Sequence, residues 1–393
     1  QSSIKTERIG FYVNWDDNSF TSLQQNISQL DKLMPEWLHL SQADGAIAFD
    51  DLNKQNKALA YIRSSRPNLP IVPLLNNFDS QKHSFDGTKL AELLANPTAR
   101  ENLIHNLLDF VRQNNFAGIH IDFESLPSAS QPNLLIFMRE LYSEFHPLGL
   151  EVSQSVPLDD PAFDYRNLAA ANDYLILMAY DEHSSVDDPG PIASQKWYVG
   201  LLKKRFAEVP PNKFVVAIGN YGYDWKGDST PAAELSFQDA VKIAQESEGN
   251  IHLDPQSLNE TFDYYDEKDQ LHHVWFLDAI TAFNQVVAGQ REGVRGFAVW
   301  RMGSEDPSMW KVWEQRTNLN EAAAKQLSLI HYGYDIDYEG SGEVLKVTAT
   351  PHDGKREVTY DRQLGSIVNQ RLISYPSPYV ITRWGGTDKK KIA

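Results

Sequence analysis

Two acids one residue apart, Asp122 and Glu124, close the run Gly118-Ile119-His120-Ile121-Asp122-Phe123-Glu124, and their spacing suits proton transfer at a single bond. Ile119, Ile121 and Phe123 alternate with Gly118, His120, Asp122 and Glu124, the period of a buried strand. Strand side chains alternate faces, so the two acids project the same way, roughly 6.5 Å apart along the backbone. In such a pair a like charge nearby and partial burial both favour the protonated form of one carboxyl, as a general acid requires. A helix cap needs one acid; two on one face above a histidine point to a catalytic pair. His120, one pleat below, is expected to hydrogen-bond Asp122 and fix its orientation.

Such a pair needs a rigid frame, and the spacing of apolar runs supplies one. Strands are expected at Ile9–Asn14, Trp37–Leu40, Ile71–Leu75, Gly118–Phe123, Val152–Val156, Tyr174–Met178, Phe214–Ile218 and Gly296–Val299. Amphipathic helical patterns separate them, among them Ser22–Leu33, Leu52–Ser64, Ala99–Asn114, Leu134–Phe145 and Trp197–Phe206. Eight strand-then-helix units predict an α/β protein of the (β/α)8 TIM-barrel type over residues 1–317, with functional side chains at the C-terminal strand ends. Between strands seven and eight, about residues 223–278, the sequence turns polar and aromatic. Thr261–Tyr265 and His272–Phe276 read there as a hairpin, with Trp275 as core of the insertion. Past residue 318, Tyr334–Tyr338, Glu343–Thr350, Glu357–Tyr360 and Ser366–Leu372 predict a small β-rich module to about 388. Residues 389–393 read as a tail or the start of a further domain.

Bulk properties narrow the partners. The chain has 393 residues, 41% of them hydrophobic and 11% aromatic, enough for a large core. Its formal net charge of −17 argues against nucleic acid or an anionic membrane surface, and suits a neutral or cationic ligand. There are no cysteines, so thiol nucleophiles, thiolate metal sites and disulfides are excluded. No run approaches the ~20 apolar residues of a membrane span. Glycine-rich phosphate cradles and Ser-His-Asp arrangements do not stand out, and His183, His272 and His273 lack convincing acid partners by spacing; neither cofactor nor metal is expected.

Residues 116–124, Phe-Ala-Gly-Ile-His-Ile-Asp-Phe-Glu, resemble the signature of family 18 glycoside hydrolases, the chitinase-like barrels, whose pattern is Asp-Gly-x-Asp-x-Asp-x-Glu on strand four. Met178-Ala179-Tyr180-Asp181 is similar to the strand-six motif, and Gly296-Phe297-Ala298-Val299-Trp300 to the end of strand eight. The resemblance spans roughly residues 7–317. It implies retaining, endo-acting hydrolysis of β-linked N-acetylglucosamine polymers or oligomers, with the substrate's own acetamido oxygen as nucleophile. On these positions Glu124 would be the acid and base, Asp122 the group that orients the acetamido, and Tyr180 a donor to its carbonyl. Trp300 would be the stacking floor, with Asp181 helping to bind the sugar. Tyr12, Trp15, Gln154, Asn220 and Tyr221 are further candidates for the pocket, and Glu182 and His183 follow on a nearby loop. Ala117 and His120 stand where the family has acids, which opens a second reading: a weakly active or non-catalytic, lectin-like carbohydrate-binding barrel. Gly190-Pro191-Ile192-Ala193-Ser194-Gln195 and the basic ending resemble bacterial fusions with a polysaccharide deacetylase and a family 2 glycosyltransferase; the family resemblance and its polymer substrate imply an extracytoplasmic location.

Overall fold

Eight parallel strands close into a barrel in the computed structural model, which describes residues 6–314, 319–339, 346–374, 381–385 and 388–392. They are β1 (Glu7–Tyr12), β2 (Lys32–Leu40), β3 (Leu74–Asn76), β4 (Gly118–Asp122), β5 (Glu151–Pro157), β6 (Tyr174–Met178), β7 (Phe214–Gly219) and β8 (Gly296–Trp300). Each pairs in parallel with the next, and β8 returns to β1. The (β/α)8 expectation holds. All of β7, Phe-Val-Val-Ala-Ile-Gly, is buried, the continuous apolar run of a strand covered on both faces.

Two expected boundaries move for identifiable reasons. The helix expected over Ser22–Leu33 stops at Asn26 and a short turn over Ile27–Gln29, and β2 begins at Lys32 instead of Trp37. Lys32 and Leu33 are claimed by the edge of β1, in register with Ile9 and Gly10. β3 is confined to Leu74–Asn76 because Pro73 has no N–H for the ladder, although Ile71 still bridges to Leu33. Helix punctuation is regular elsewhere: Asn96 caps Pro97–Gln113 by accepting from Thr98 N and Ala99 N.

The barrel interior is layered along its axis. At the N-terminal end buried Lys32 Nζ lies 2.7 Å from both Glu7 and Glu151 and donates to Tyr174 Oη at 2.9 Å. Above it Ile9, Phe11, Met34, Val72, Leu74, Ile176, Val215, Ala217 and Ala298 form an apolar plug. Polar side chains then resume at the C-terminal ends, the layer in which barrels of this type keep their chemistry.

The chain divides into two units: Gln1–Tyr180, Tyr198–Gly219 and Ala288–Gly303 form the first, with the whole barrel; Asp181–Trp197, Asn220–Val287 and Ser304–Ala393 form the second. Within the second, the expected hairpin is present as Glu260–Tyr265 paired with Leu271–Phe276, inside a five-stranded antiparallel sheet. A helix that was not expected, Phe237–Glu246, starts from a Ser236/Asp239 capping box and packs Phe237, Ala240, Val241 and Ala244 on Phe262, Val274 and Phe276. Because Val274 and Phe276 face this core, half-buried Trp275 takes the opposite face, which corrects its assignment to the insertion's core. A second five-stranded sheet, including Leu329–Glu339, Lys346–Asp361 and Ser366–Ser374, supplies the expected C-terminal β-structure. The predicted boundary at 317, residues 343–345 of one expected strand, and Ala393 lie outside the described residues. Among the described residues no helix is long and apolar enough to cross a membrane.

Candidate active site

Asp122 ends β4 and is 6% exposed; Glu124 follows two residues on, partly exposed. Their carboxyl groups are hydrogen-bonded to each other. Burial pushes Asp122 up to about 6, and the bond to Glu124 pulls against that rise by favouring its ionised form. A proton held on Glu124 and donated to Asp122 is the arrangement such a bond selects. Asp122 Oδ1 has no hydrogen-bond partner among the described residues, leaving that oxygen uncommitted.

The strand reading places these acids but misses what holds Glu124. Just past the strand its backbone is gripped by the Asn77 side chain: Glu124 N donates to Asn77 Oδ1 at 2.9 Å and Asn77 Nδ2 donates to Glu124 O at 2.8 Å. Asn77, 2% exposed, thus acts as a short piece of β-ladder where β4 has ended, directly before Ser125 turns at φ 60°. Substituting Asn77→Ala removes both bonds at once. The expected result is a fall in kcat of roughly 10- to 100-fold with KM within a few-fold, since the acid is displaced while the sugar's contacts persist. Steady-state kinetics checks this; an unchanged kcat contradicts it.

His120 departs from expectation. It does face the interior, edge-on to Phe11 at 5.6 Å, yet it does not bond Asp122. Its ring nitrogens lie 2.8 Å from Ser153 Oγ and 2.7 Å from Ser155 Oγ on β5. Burial first, then the charge of Lys32, lowers it to about 3, so the ring is neutral and bridges the two hydroxyls as one donor and one acceptor. The alternation that turns Ser153 and Ser155 inward turns Gln154 outward, where its carbonyl accepts from Asn172 Nδ2 at 3.2 Å, so Gln154 leaves the list of pocket residues. Tyr12 leaves it for the same reason: Phe11 is in the interior cluster, so Tyr12, 3% exposed, lies on the other face. Burial, with Asp17 adding to it, raises the Tyr12 hydroxyl.

Tyr180 and Trp300 are half-buried, and both pack on the apolar plug from the C-terminal side of the barrel. Trp300 meets Phe11 edge to face at 5.3 Å and is followed by a cis peptide to Arg301. Trp15, in the loop after β1, is 55% exposed, with the Arg301 guanidinium 4.1 Å from its ring centre. Arg301 is anchored in turn on Asp16 at 2.6 Å. Trp15 is therefore an exposed aromatic held in place, which is what a sugar platform requires.

Sequence spacing also missed a polar cluster on β2. Glu36, His39 and Asp50 have donor atoms within 4.8 Å of one another. His39 Nδ1 lies 2.6 Å from Asn76 Oδ1 and Nε2 lies 2.9 Å from Asp50 Oδ1, so both nitrogens donate to oxygen. Burial opposes charge on His39, but its bonds to Asp50 and Asn76 and the charge of Glu36 prevail and raise it. With both nitrogens donating, His39 offers no lone pair to a metal ion.

In the second unit Asp181, at φ 59°, accepts from Tyr223 Oη at 2.8 Å and from Tyr221 Oη. Burial raises Asp181, the two tyrosine bonds oppose the rise, and Asp187 adds to it. Tyr223, which the sequence did not single out, stands directly across the sheet from Trp275. Asn220 is 1% exposed, and its backbone carbonyl accepts from Ser304 Oγ. The histidines set aside for want of partners do have them: His272 lies 2.7 Å from Asp224 and 3.0 Å from Asp266, and His273 lies 2.7 Å from Asp263. These are links across strands of the insertion, with Tyr264 donating to Asp224 as well. His183 Nδ1 is 3.0 Å from the Asp188 carbonyl, and Glu182 accepts from Ser194 N at 2.6 Å, so both serve their own loop.

Comparison with known proteins agrees with this architecture. "Uncharacterized glycosylase YvbX" of Bacillus subtilis is 24% identical over 319 residues, 78% of this chain and 90% of the relative. The cortical fragment-lytic enzyme of the same organism is 27% identical over 265 residues, covering 64% of this chain and 61% of its own length. The crystal structure of a chitinase from Chromobacterium violaceum superposes with a TM-score of 0.72 at 24% identity, over 79% of this chain and 98% of that one. Residues 7–306 match the model of glycosyl hydrolases family 18. With the closed barrel and its strand-four acids in place, the chain belongs to that family and is a glycoside hydrolase.

Proposed function

We propose that the protein is a retaining, endo-acting β-N-acetylglucosaminidase of chitinase-like type that cuts N-acetylglucosamine polymers or oligomers outside the cytoplasm. The observation that carries this reading is the hydrogen-bonded pair of Asp122 and Glu124 at the end of β4, with one Asp122 oxygen uncommitted. Glu124 gives its proton to the glycosidic oxygen as the bond to the anomeric carbon breaks. The acetamido carbonyl oxygen of the same sugar attacks that carbon and forms an oxazolinium ring. Ionised Asp122 accepts the amide N–H and offsets the ring's positive charge, and the Tyr180 hydroxyl donates to the acetamido carbonyl. Glu124, now a carboxylate, then takes a proton from water as the water opens the ring from the face the leaving group left. Two displacements restore the original anomer, so the product is β.

Trp300 stacks under the distorted sugar in this reading, and exposed Trp15 supports a neighbouring unit. Neutral His120 cannot share a proton with Asp122, so the Asp122–Glu124 bond does the work of orientation. Incubation with N-acetylglucosamine oligomers of several linkages, followed by mass spectrometry, tests the proposal. Shortened oligomers are expected; intact substrate across linkages and from pH 4 to 8 refutes it.

A further inference from the structure

Glu36 is a carboxyl group that the scheme above leaves idle, yet the register of β2 aims it at the same layer. Met34 packs in the interior plug, so Glu36, two residues on, shares its inward face. The ladder sets Glu36 beside Leu74 and Leu74 beside His120, one pleat below Asp122. Between Glu36 and Leu38 the register shifts, a bulge that brings His39 into the row of Asn76 and Asp122.

The charged groups around Glu36 come from three elements: His39 on its own strand, Asp50 after Ile47–Phe49, and Asp122 on β4. The Trp15 side chain, from the loop after β1, is hydrogen-bonded to it. Burial is the largest influence; with Asp50 and Asp122 it pushes Glu36 up to about 7 against the pull of His39 and Trp15. Glu36 thus changes charge near neutrality. His120, the inward neighbour of Asp122 on β4, stays neutral and brings no charge to Asp122.

We infer that Glu36 is a positioning residue of the hydrolytic site: a carboxylate on β2, poised by Trp15 and the His39–Asp50 pair, that backs Asp122 electrostatically. The inference rests on the hydrolase reading and adds to it. Ionised Glu36 adds a second negative charge near the developing oxazolinium and disfavours loss of the Glu124 proton. The enzyme therefore stays active to higher pH than Asp122 and Glu124 alone would allow. Glu36→Gln keeps the size and the acceptor for Trp15 but removes the charge. Without that charge Glu124 gives up its proton at lower pH, so the alkaline limb moves down.

Two measurements decide it, both on the full chain. In pH–rate profiles on an N-acetylglucosamine oligomer, the alkaline limb of Glu36→Gln is expected about half a pH unit or more below wild type, with kcat at the optimum within about tenfold. Glu36→Asp, which restores a carboxyl, is expected to return the limb toward wild type. Superimposable wild-type and Glu36→Gln profiles, or a Glu36→Asp limb that stays with Glu36→Gln, overturn the inference. The second measurement needs no turnover: carboxyl carbon NMR should show Glu36 titrating at lower pH in Asp122→Asn than in wild type, and an unmoved titration overturns the coupling. A wild-type protein without hydrolysis refutes the enzymatic proposal, while the NMR result still decides the coupling by itself.

Discussion

Replacing Glu124 by Gln lowers kcat/KM on an N-acetylglucosamine oligomer by roughly 10²–10⁴-fold, the range general acid–base catalysis supplies. The amide keeps the shape of the side chain and leaves the Asn77 clamp on the backbone untouched. Fold and sugar binding are therefore expected to survive, with oligosaccharide affinity within a few-fold of wild type and kcat carrying the loss. Isothermal titration of the variant beside its steady-state kinetics separates the two. Equal losses of affinity and turnover would mean that Glu124 holds the sugar and does not move a proton.

Asp122→Asn carries the second large effect, and its pH dependence has a definite sign. The scheme requires ionised Asp122, whose carboxyl burial pushes up to about 6. Wild-type kcat/KM should accordingly fall as pH drops through about 6, well above the normal carboxylate range. Asp122→Asn should lose roughly 10²–10³-fold at the optimum, the scale of one preorganised group facing a developing charge, and should lose that acid limb as well. Stability moves the other way. A carboxyl raised on folding favours its protonated form in the native state, so its contribution is complete below the unfolded value and is lost as pH rises through the folded one. Asp122→Asn is therefore expected to raise the melting temperature at pH 8, by about a few degrees, and to change it little at pH 4. A variant destabilised at pH 8 contradicts the reading that burial outweighs the Glu124 bond at Asp122.

Those two acids were legible in the sequence because a single strand carries both the period and the chemistry. Ile119, Ile121 and Phe123 fix which way Asp122 and Glu124 point without knowledge of any neighbour. Continuous apolar runs such as Phe214–Ile218 likewise declared their strands, and eight of them in alternation with helices implied closure. Parity errors account for Gln154 and Tyr12: each lies next to inward residues, Ser153 with Ser155 and Phe11, and a shift of one position changes the face. Asn77 and Glu36 were hidden for another reason. Asn77 meets Glu124 across 47 residues of chain, and Glu36 gains its meaning from a register shared with strands β3 and β4. No local pattern encodes either contact. The helix Phe237–Glu246 did have a readable stripe, Phe237, Ala240, Val241 and Ala244, with a capping box ahead of it.

The central claim is that the sugar's own acetamido group attacks under the guidance of Asp122. Parallel digestion of a fully acetylated N-acetylglucosamine oligomer and the matching fully deacetylated oligomer, with proton NMR of the first-formed anomer, tests this most directly. Cleavage of the acetylated oligomer alone, with the β-anomer released first, is the predicted result. Comparable cleavage of the deacetylated oligomer, or release of the α-anomer first, contradicts it.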